Sequence, residues 1–279
     1  MTPPLQTPGP ETPLLEVDAV SIAFGGLKAV TGFSLTLEAG RLDGLIGPNG
    51  AGKTTCFNLL TGVYRPQEGE IRLRGRRLTG LRPSAIAAAG VARTFQNIRL
   101  FPDLTVFDNV RIGGHVRTST GMVGAILRTN RHVGEERALA ERCRRLLDLM
   151  GLAGREDEQA KNLPYGDQRR LEIARALATA PEVLLLDEPA AGMNSQEKYE
   201  MRSLIRRILD EFRVAILLIE HDMGLVMDIC HRITVLDHGV VIAAGAPAAI
   251  QDDPKVIEAY LGQPAGAASV APAADAGGP

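Results

Sequence analysis

Tryptophan is absent from this sequence, and aromatic residues of all kinds make up only 4% of its 279 residues. Proteins that bind single-stranded nucleic acid usually stack the bases on exposed aromatic side chains. The charges also nearly cancel, because 31 lysines and arginines face 33 aspartates and glutamates, for a net charge of −2. The positive excess that attracts a phosphate backbone is therefore missing as well. Both shortages argue against a nucleic-acid-binding protein.

Cysteine and long apolar runs are also scarce. The three cysteines, Cys56, Cys143 and Cys230, are widely spaced and fit neither a metal-binding nor a disulfide pattern, which favours a reducing compartment. The most apolar stretches, such as residues 214–219, are far too short to cross a bilayer. The first residues hold no basic region followed by an apolar run, so no signal peptide is predicted. We therefore expect a soluble, cytosolic domain.

The two ends of the chain differ in composition from its middle. Five of the 17 prolines fall within residues 1–13, which we predict to be a disordered leader. Residues 264–279 contain small residues without large apolar side chains, and we predict a flexible tail there. The chain as a whole is 45% hydrophobic, an ordinary share for a globular protein. The folded domain is therefore expected over residues 14–263.

Apolar stretches and helical patterns alternate along this domain. Strands are predicted at residues 15–24, 34–38, 42–46, 71–75, 183–187, 214–219 and 232–236. Helices are predicted at residues 53–61, 167–177 and 196–209, with a short helix after His221. Residues from about 105 to 163 show apolar residues at helical spacing and no strand-like run, which indicates an inserted helical subdomain. Strands and helices in this order are typical of an α/β fold, with a parallel sheet covered on both faces.

Residues 47–54 read GPNGAGKT and fit the phosphate-loop pattern G-x-x-x-x-G-K-[ST]. Glycines allow successive backbone N–H groups to turn toward phosphate oxygens, and the following helix adds its positive end. Lys53 can reach the β- and γ-phosphates, and the Thr54 hydroxyl can join a magnesium shell. A glycine turn with an incidental lysine is the alternative, but the loop lies between a buried strand and a helix, as the motif requires. The predicted nucleoside triphosphate ligands are Gly47, Pro48, Asn49, Gly50, Ala51, Gly52, Lys53, Thr54 and Thr55.

The second motif is acidic and lies at the end of the strand predicted at residues 183–187. The sequence there, VLLLDEP, places two carboxylates after four apolar residues. Asp187 at the end of a buried strand can enter the magnesium shell, and Glu188 can polarise an attacking water. Acidic residues at strand ends are common, so this motif alone would be weak. Together with the phosphate loop it predicts an ATPase or a GTPase, and the sequence holds no guanine-reading N-K-x-D motif.

Four further motifs carry a family resemblance. They are RTFQ at residues 93–96, LPYGDQRRLEIARAL at 163–177, AAGMN at 190–194 and IEHDM at 219–223. With them, residues 14–262 resemble the ATP-binding subunits of ABC transporters. The segments FGGLKAV, RTFQNIRLF, LDEPAAGMN and VIEAYLG are similar, more narrowly, to the branched-chain amino acid importer subgroup.

The resemblance implies a P-loop NTPase domain of the ABC type, with an antiparallel β subdomain and the helical insertion. It implies ATP and Mg²⁺ as ligands and ATP hydrolysis that powers amino-acid uptake. The implied partners are two membrane permease subunits and, indirectly, an extracytoplasmic binding protein, at the cytoplasmic face of a bacterial-type inner membrane. The alternatives are another cargo, such as urea, short amides or exported lipopolysaccharide, and a soluble ABC ATPase acting on DNA or ribosomes. The single phosphate loop and the lack of sustained heptads disfavour the last.

The resemblance also assigns roles to three residues outside the two motifs. Phe24 lies where the family stacks an aromatic ring on adenine, although a core phenylalanine of an edge strand is the alternative. Gln96 matches the glutamine that senses magnesium and the γ-phosphate and touches the membrane subunit. His221 matches a histidine that contacts the γ-phosphate and completes the catalytic pair with Glu188, although an isolated histidine there would be an ordinary strand-end side chain.

The resemblance further implies that a dimer is the active unit. The signature residues would close over ATP held by the other subunit, and they are Pro164, Tyr165, Gly166 and Asp167. Pro164 replaces a serine, Asp167 replaces a glutamine and brings negative charge, and Asn194 replaces the aspartate usual in the dimer-contact loop. These departures favour a heterodimer with a paralogous ATPase subunit over a homodimer.

Overall fold

A computed structural model describes residues 13–117 and 130–261, which contain two β-sheets. The smaller sheet is antiparallel, with strand order β2-β1-β4-β5. Its strands are β1 (Leu15–Phe24), β2 (Leu27–Leu37), β4 (Glu68–Leu73) and β5 (Arg76–Arg77). Buried and exposed side chains alternate along the second half of β2, so this sheet has one buried face.

The larger sheet has six strands in the order β10-β9-β3-β8-β7-β6. They are β3 (Leu42–Ile46), β6 (Val91–Arg93), β7 (Val183–Asp187), β8 (Ala215–Ile219), β9 (Arg232–Asp237) and β10 (Val240–Gly245). Only β10, at one edge, runs antiparallel to its neighbour. Every residue of β3, β7 and β8 is buried, as expected of parallel strands covered on both faces.

Helices cover the larger sheet and form a cluster beside it. They are α1 (Lys53–Leu60), α2 (Pro83–Ala89), α3 (Val106–Gly114), α4 (Asn130–Leu149), α5 (Tyr165–Ala178), α6 (Ser195–Phe212), α7 (Met223–Ile229), α8 (Pro247–Gln251) and α9 (Pro254–Leu261). Helices α3, α4 and α5 pack on one another. Within the two described ranges, no helix combines the length and apolar character needed to cross a bilayer.

Two apolar cores lie on opposite faces of the parallel sheet. Leu42 and Ile46 belong to the core shared with α3 to α7, whereas Leu45 points into the core shared with α1 and the antiparallel sheet. Leu184 and Leu185 of β7 divide between the two cores in the same way. The alternation follows from the two-residue period of a strand, and it fixes the register of each central strand.

The predicted α/β fold is confirmed, and the predicted strands at residues 15–24, 42–46 and 183–187 match β1, β3 and β7. Strand β2 begins seven residues before the predicted one, because Gly32 at φ +60° interrupts the alternation along it. The short elements β5, β6, β10, α2, α8 and α9 were not predicted. The predicted leader, except for Pro13, and the predicted tail lie outside the described residues, as do residues 118–129 of the predicted helical subdomain.

Asp43 is an unusual residue for the middle of a parallel sheet. Its side chain in β3 is only 5% exposed, and its Oδ1 atom has no hydrogen-bond partner. Burial raises the pKa of this carboxyl from 3.8 to about 6, although Arg41, Arg232 and His231 oppose the shift. The folded protein therefore binds this proton more tightly than the unfolded chain. Its free energy of unfolding should fall as the pH rises from about 4 to about 6 and stay low above that.

We expect Asp43→Asn to raise the free energy of unfolding by about 1–3 kcal/mol at neutral pH, because it removes a buried charge. Near pH 4.5 the gain should shrink, because the wild-type carboxyl is then largely protonated and close to asparagine in shape and charge. Urea unfolding at the two pH values measures both quantities. The control is Asp148→Asn on the exposed face of α4. A gain of equal size at both pH values would contradict the assigned pKa.

Candidate nucleotide-binding site

The phosphate loop joins β3 to α1, and its glycines allow a path that other residues cannot follow. Gly47, Gly50 and Gly52 have φ angles of +149°, +80° and +103°. A Cβ atom on Gly47 would lie 1.9 Å from the carbonyl oxygen of Leu236, and one on Gly52 would lie 2.7 Å from the carbonyl oxygen of Ala29. The loop is therefore pressed against β9 and β2. Within the loop Pro48 and Ala51 are buried, Asn49 and Gly50 are exposed, and Thr54 and Thr55 follow in the first turn of α1.

Lys53 is the first residue of α1, and its ammonium lies inside the loop. Its Nζ atom donates hydrogen bonds to the carbonyl oxygens of Gly47 at 2.6 Å and Pro48 at 2.8 Å. Burial lowers the pKa of Lys53, while the negative charges of Glu188 and Asp187 act in the opposite direction. The structure therefore brings the two sequence motifs together around one cation.

Asp187 ends β7 and lies almost fully buried beside Arg93. Its Oδ2 atom accepts a hydrogen bond from Arg93 Nη2 at 2.7 Å, and the two side chains are only 3% and 6% exposed. Arg93 also donates from Nη1 to Asn58 Oδ1 of α1 at 2.6 Å. The backbone N–H of Asp187 donates to Thr94 Oγ1 at 3.2 Å. Arg93 thus fixes the Asp187 carboxylate and joins β6, β7 and α1.

Glu188, Gln96 and His221 meet although they are far apart in sequence. Glu188 Oε2 accepts a hydrogen bond from Gln96 Nε2 at 3.1 Å and lies 3.8 Å from His221 Nδ1. Glu188 has a φ angle of +47°, a left-handed conformation that costs about 1–2 kcal/mol in a residue other than glycine. This turn directs the Glu188 side chain away from the strand and toward Gln96. The three predicted residues therefore form one polar cluster beside the phosphate loop.

The predicted magnesium ligands offer oxygen donors of the type that Mg²⁺ prefers. Thr54 supplies a hydroxyl, Gln96 an amide oxygen and Asp187 a carboxylate, and Mg²⁺ sites in nucleotide enzymes commonly use one or two carboxylates with substrate phosphates. Asp187 lies opposite Ile219 of β8, which lies opposite Leu45 of β3, so the three strands end level beside the loop. In residues 13–117 and 130–261, no cluster of histidine, cysteine and acidic residues could hold a metal ion without phosphates. The donor set fits Mg²⁺ bound together with a nucleotide.

Phe24 lies at the end of β1 and is 44% exposed, so it is not a core residue as the alternative interpretation required. Its ring meets the edge of Tyr64, with the ring centroids 5.0 Å apart. Phe24 pairs with Leu27 at the tip of the β1–β2 hairpin, and Ala29 of the same hairpin touches Gly52. An exposed aromatic ring near the loop is compatible with base stacking.

The signature residues begin helix α5. Pro164 is the N-cap, with an extended backbone and no side-chain capping hydrogen bond, and Gly166 lies in the first turn. Tyr165 is 46% exposed, and its hydroxyl accepts a hydrogen bond from Arg169 Nη2 at 3.0 Å. The same Arg169 Nη2 atom also donates to the carbonyl oxygen of Gln96, so the first turns of α5 are linked to the polar cluster around Glu188.

Asp167 and Asn194 each have a role inside the chain. The Asp167 Oδ2 atom pairs with Arg155 Nη1 at 2.6 Å, so the negative charge expected near the signature is compensated. The Asn194 side chain accepts a hydrogen bond from the Glu197 N–H at 2.9 Å, and the Glu197 carboxylate accepts one from the Asn194 N–H. Asn194 is thus the N-cap of α6 in a capping box.

Helix α5 also holds the backbone around Gln96. Arg169 donates to the carbonyl oxygens of Phe95, at 2.6 Å, and of Gln96. Glu172, on the next turn, accepts hydrogen bonds from the N–H groups of Phe95 at 3.4 Å and Arg99 at 3.3 Å. Both charged side chains are buried. The signature helix and the Gln96 segment are therefore joined.

Sequence reasoning missed Arg93, Glu220 and Tyr260 as parts of the site. Glu220 is a buried carboxylate directly after the predicted apolar strand at residues 214–219, a position that requires a partner and was a signal available in the sequence. Arg93 lies in the short strand β6, which was not predicted, so its burial beside Asp187 had no such signal. Tyr260 of α9 has a buried hydroxyl without a hydrogen-bond partner. Burial raises the pKa of this hydroxyl, and the nearby Gly47 N–H lowers it. No local pattern indicates that contact.

Comparisons with known proteins point to one group. A family model described as ABC transporter matches residues 30–191, and one described as branched-chain amino acid ATP-binding cassette transporter matches residues 240–266. The chain is 48% identical over 251 residues to the high-affinity branched-chain amino acid transport ATP-binding protein LivG of Salmonella typhimurium, covering 90% of this chain and 98% of that one. It is 45% identical to the high-affinity branched-chain amino acid transport ATP-binding protein BraF of Pseudomonas aeruginosa, again covering 90% of this chain and 98% of that one. A crystal structure of an ATP-binding cassette of an ABC transporter in its ADP conformation has a TM-score of 0.78 and 27% identity, covering 90% of this chain and 100% of that one.

The contacts of the loop glycines predict unequal effects of alanine. We expect Gly47→Ala to lower the free energy of unfolding by more than about 3 kcal/mol, because its Cβ overlaps a backbone carbonyl that cannot move without β9. A Cβ atom added at Gly50 would have no neighbouring atom within 4 Å, so only the φ angle of +80° disfavours alanine there. We expect Gly50→Ala to lower the free energy of unfolding by about 1–2 kcal/mol. Urea unfolding of both variants tests this. Equal losses would show that the Leu236 contact is not the constraint.

Proposed function

Because this chain belongs to the ABC transporter family, we propose that it is the ATP-binding subunit that powers the import of branched-chain amino acids. The support for hydrolysis is the meeting of Glu188, Gln96 and His221 beside the phosphate loop. The support for the cargo is the similarity to LivG and BraF along nearly their whole length, together with the match of the C-terminal family model. That second match includes β10 and α9, so it extends the similarity beyond the nucleotide site.

ATP would bind with its phosphates in the loop of residues 47–52. The Lys53 ammonium and the N-terminus of α1 provide positive charge there, and the backbone N–H groups provide donors. Thr54 and Thr55 extend this set at the start of α1, and Phe24 would stack on the base. Thr54, Asp187 and Gln96 would hold Mg²⁺, which neutralises charge on the β- and γ-phosphates when it is bound.

Hydrolysis would be an in-line attack of water on the γ-phosphorus. The Glu188 carboxylate polarises the water and takes its proton, while the bond from the γ-phosphorus to the bridging oxygen breaks and leaves ADP and phosphate. Lys53, His221 and the partner's signature N–H groups stabilise the charge on the transferred group. The Gln96 amide N–H holds the Glu188 carboxylate in place through a hydrogen bond. This bond links Glu188 to the backbone of Phe95 and Gln96, to which Arg169 of α5 donates hydrogen bonds.

The permease subunits would dock in a groove beside Gln96. A cavity of about 400 Å³ opens between α2, α3 and α5, and its lining includes Val63, Phe95, Phe101 and Ile112. Phe101 and Ile112 are 47% and 39% exposed, which is high for large apolar side chains. Docking there would place this chain at the cytoplasmic face of the membrane as a peripheral subunit, with cargo delivered by an extracytoplasmic binding protein.

The signature helix would close over ATP held by a second ATPase subunit, and we propose a paralogous partner for it. Pro164 supplies no hydroxyl or N–H to a phosphate, so this half of a dimer is chemically weaker than one with serine. The Asp167 charge does not add to this weakness, because Arg155 compensates it. The heterodimer proposal therefore depends on Pro164 and on the exposed start of α5.

Uptake measurements test the proposed cargo. Cells that carry Lys53→Ala should lose uptake of labelled leucine, isoleucine and valine, because the loop loses the cation that holds the phosphates. Urea uptake should persist. The matched control is Lys255→Ala, an exposed lysine on α9, which should transport normally. Loss of urea uptake alone would assign another cargo, and unchanged uptake of all four solutes would contradict the importer assignment.

Glu188→Gln tests hydrolysis and pairing together. We expect the variant to bind ATP but to turn over at least about 100-fold more slowly, because it lacks the base. The control is Glu211→Gln on the exposed end of α6. In size-exclusion chromatography with ATP, the Glu188→Gln chain should dimerise more tightly with a paralogous subunit than with itself. Turnover near the wild-type rate would remove Glu188 from its role, and a homodimer of equal affinity would contradict the heterodimer.

A further inference from the structure

Glu220 is an almost fully buried carboxylate near the site, and none of the roles above uses it. It follows β8, is 1% exposed and precedes His221. Its Oε1 atom accepts a hydrogen bond from the Ala190 N–H at 2.9 Å, and its Oε2 atom accepts one from the His221 N–H at 3.2 Å. Ala190 lies two residues after Glu188. The Glu220 side chain thus bridges the loop that follows β7 and the loop that follows β8.

The His221 ring itself is weakly held. Its side chain is 63% exposed, and Nδ1 lies 3.8 Å from both Glu188 Oε2 and Glu220 Oε2, beyond hydrogen-bond distance. The backbone of His221 is fixed, by contrast, through its N–H group on Glu220. The position of the ring over Glu188 therefore depends on what holds the backbone.

A second link lies on the other side of His221. The Asp222 Oδ2 atom pairs with Lys198 Nζ at 2.7 Å, and Asp222 Oδ1 accepts a hydrogen bond from the Leu225 N–H at 3.2 Å and so caps α7. Lys198 lies in the first turns of α6, the helix that Asn194 caps. The residues before and after His221 are therefore each bonded to the segment 190–198.

We propose that Glu220 is a positioning residue that couples His221 to the loop at residues 190–194, with the Lys198–Asp222 pair as the second link. The inference rests on the proposed function, in which His221 acts on the γ-phosphate, and on the family resemblance, which makes residues 190–194 the loop that contacts the second subunit. Because a carboxylate that is 1% exposed has no water to replace lost donors, the loss of either N–H group would leave one buried carboxylate oxygen without a hydrogen-bond donor. The two loops therefore move together, and seating the 190–194 loop against the partner sets His221 over the nucleotide.

The Glu220→Gln substitution tests this role, because the single oxygen of the amide can accept from only one of the two N–H groups. We expect Glu220→Gln to lower kcat on the order of 10- to 100-fold, with ATP affinity within about twofold of wild type, because the effect reaches the chemistry only through His221. ATP turnover is measured on the full-length chain in its transport complex, and ATP affinity by equilibrium binding. In a His221→Ala background, Glu220→Gln should lower kcat no further.

Lys198→Gln tests the second link without disturbing a buried group. It should also lower kcat, and this effect should also vanish in the His221→Ala background. Its matched control is Lys161→Gln, which breaks an exposed pair of similar length with Asp103 and should turn over as wild type. This variant keeps the test decisive even where Glu220→Gln does not fold.

Additive effects in the His221→Ala background would overturn the coupling and leave the proposed function standing. A kcat of Glu220→Gln and Lys198→Gln equal to that of wild type would overturn it as well. Absence of ATP hydrolysis by the wild-type complex would overturn the proposed function and, with it, this role. Non-additivity of both variants with His221→Ala is the expected result.

Discussion

The register of the three central parallel strands is the constraint on which the site depends. Leu45, Ile219 and Asp187 lie in one row across β3, β8 and β7, so the loops after these strands leave the sheet at the same level. Those loops carry the phosphate motif, the Glu220–His221 pair and Glu188. A slip of two residues in any strand would move a carboxylate into the apolar interior or pull leucines into solvent, and both changes are costly. The buried apolar faces thus specify where the polar chemistry occurs.

Buried charges then join the loops that the sheet brings near one another. Arg93 bonds to Asp187 and Asn58, Arg169 bonds to the backbone around Gln96, and Glu220 bonds to Ala190 and His221. Each of these side chains would be costly to bury alone, so each requires its partners to stay in place. To catalyse phosphoryl transfer, a protein mainly has to position the reacting groups and stabilise the charge on the transferred group. A network of this kind meets that need better than exposed loops would.

The parts of the site that were predictable are those encoded by neighbouring residues. Lys53, Asp187 and Glu188 lie in short motifs whose chemistry depends on local spacing, and the family resemblance they supported is confirmed by the family models. The compensation of Asp167 was not predictable, because Arg155 lies in an irregular segment that has no period. Glu220 was visible as a charge after an apolar run, but its partner Ala190 reaches it only through the pairing of β7 and β8. Short elements such as α8 contain too few turns to show a helical pattern.

Gln96 occupies the point where the separate parts of the molecule meet. Its side chain donates to Glu188, its carbonyl oxygen accepts from Arg169 of the signature helix, and Phe95 beside it lines the apolar groove. A displacement of the groove therefore changes the position of Gln96, and with it the 3.1 Å hydrogen bond that Gln96 donates to Glu188. The same displacement reaches α5 through Arg169 and Glu172, both buried. In the proposed function, a permease seated in the groove would thus act at once on the Glu188 carboxylate and on the helix that is proposed to face a second ATPase subunit.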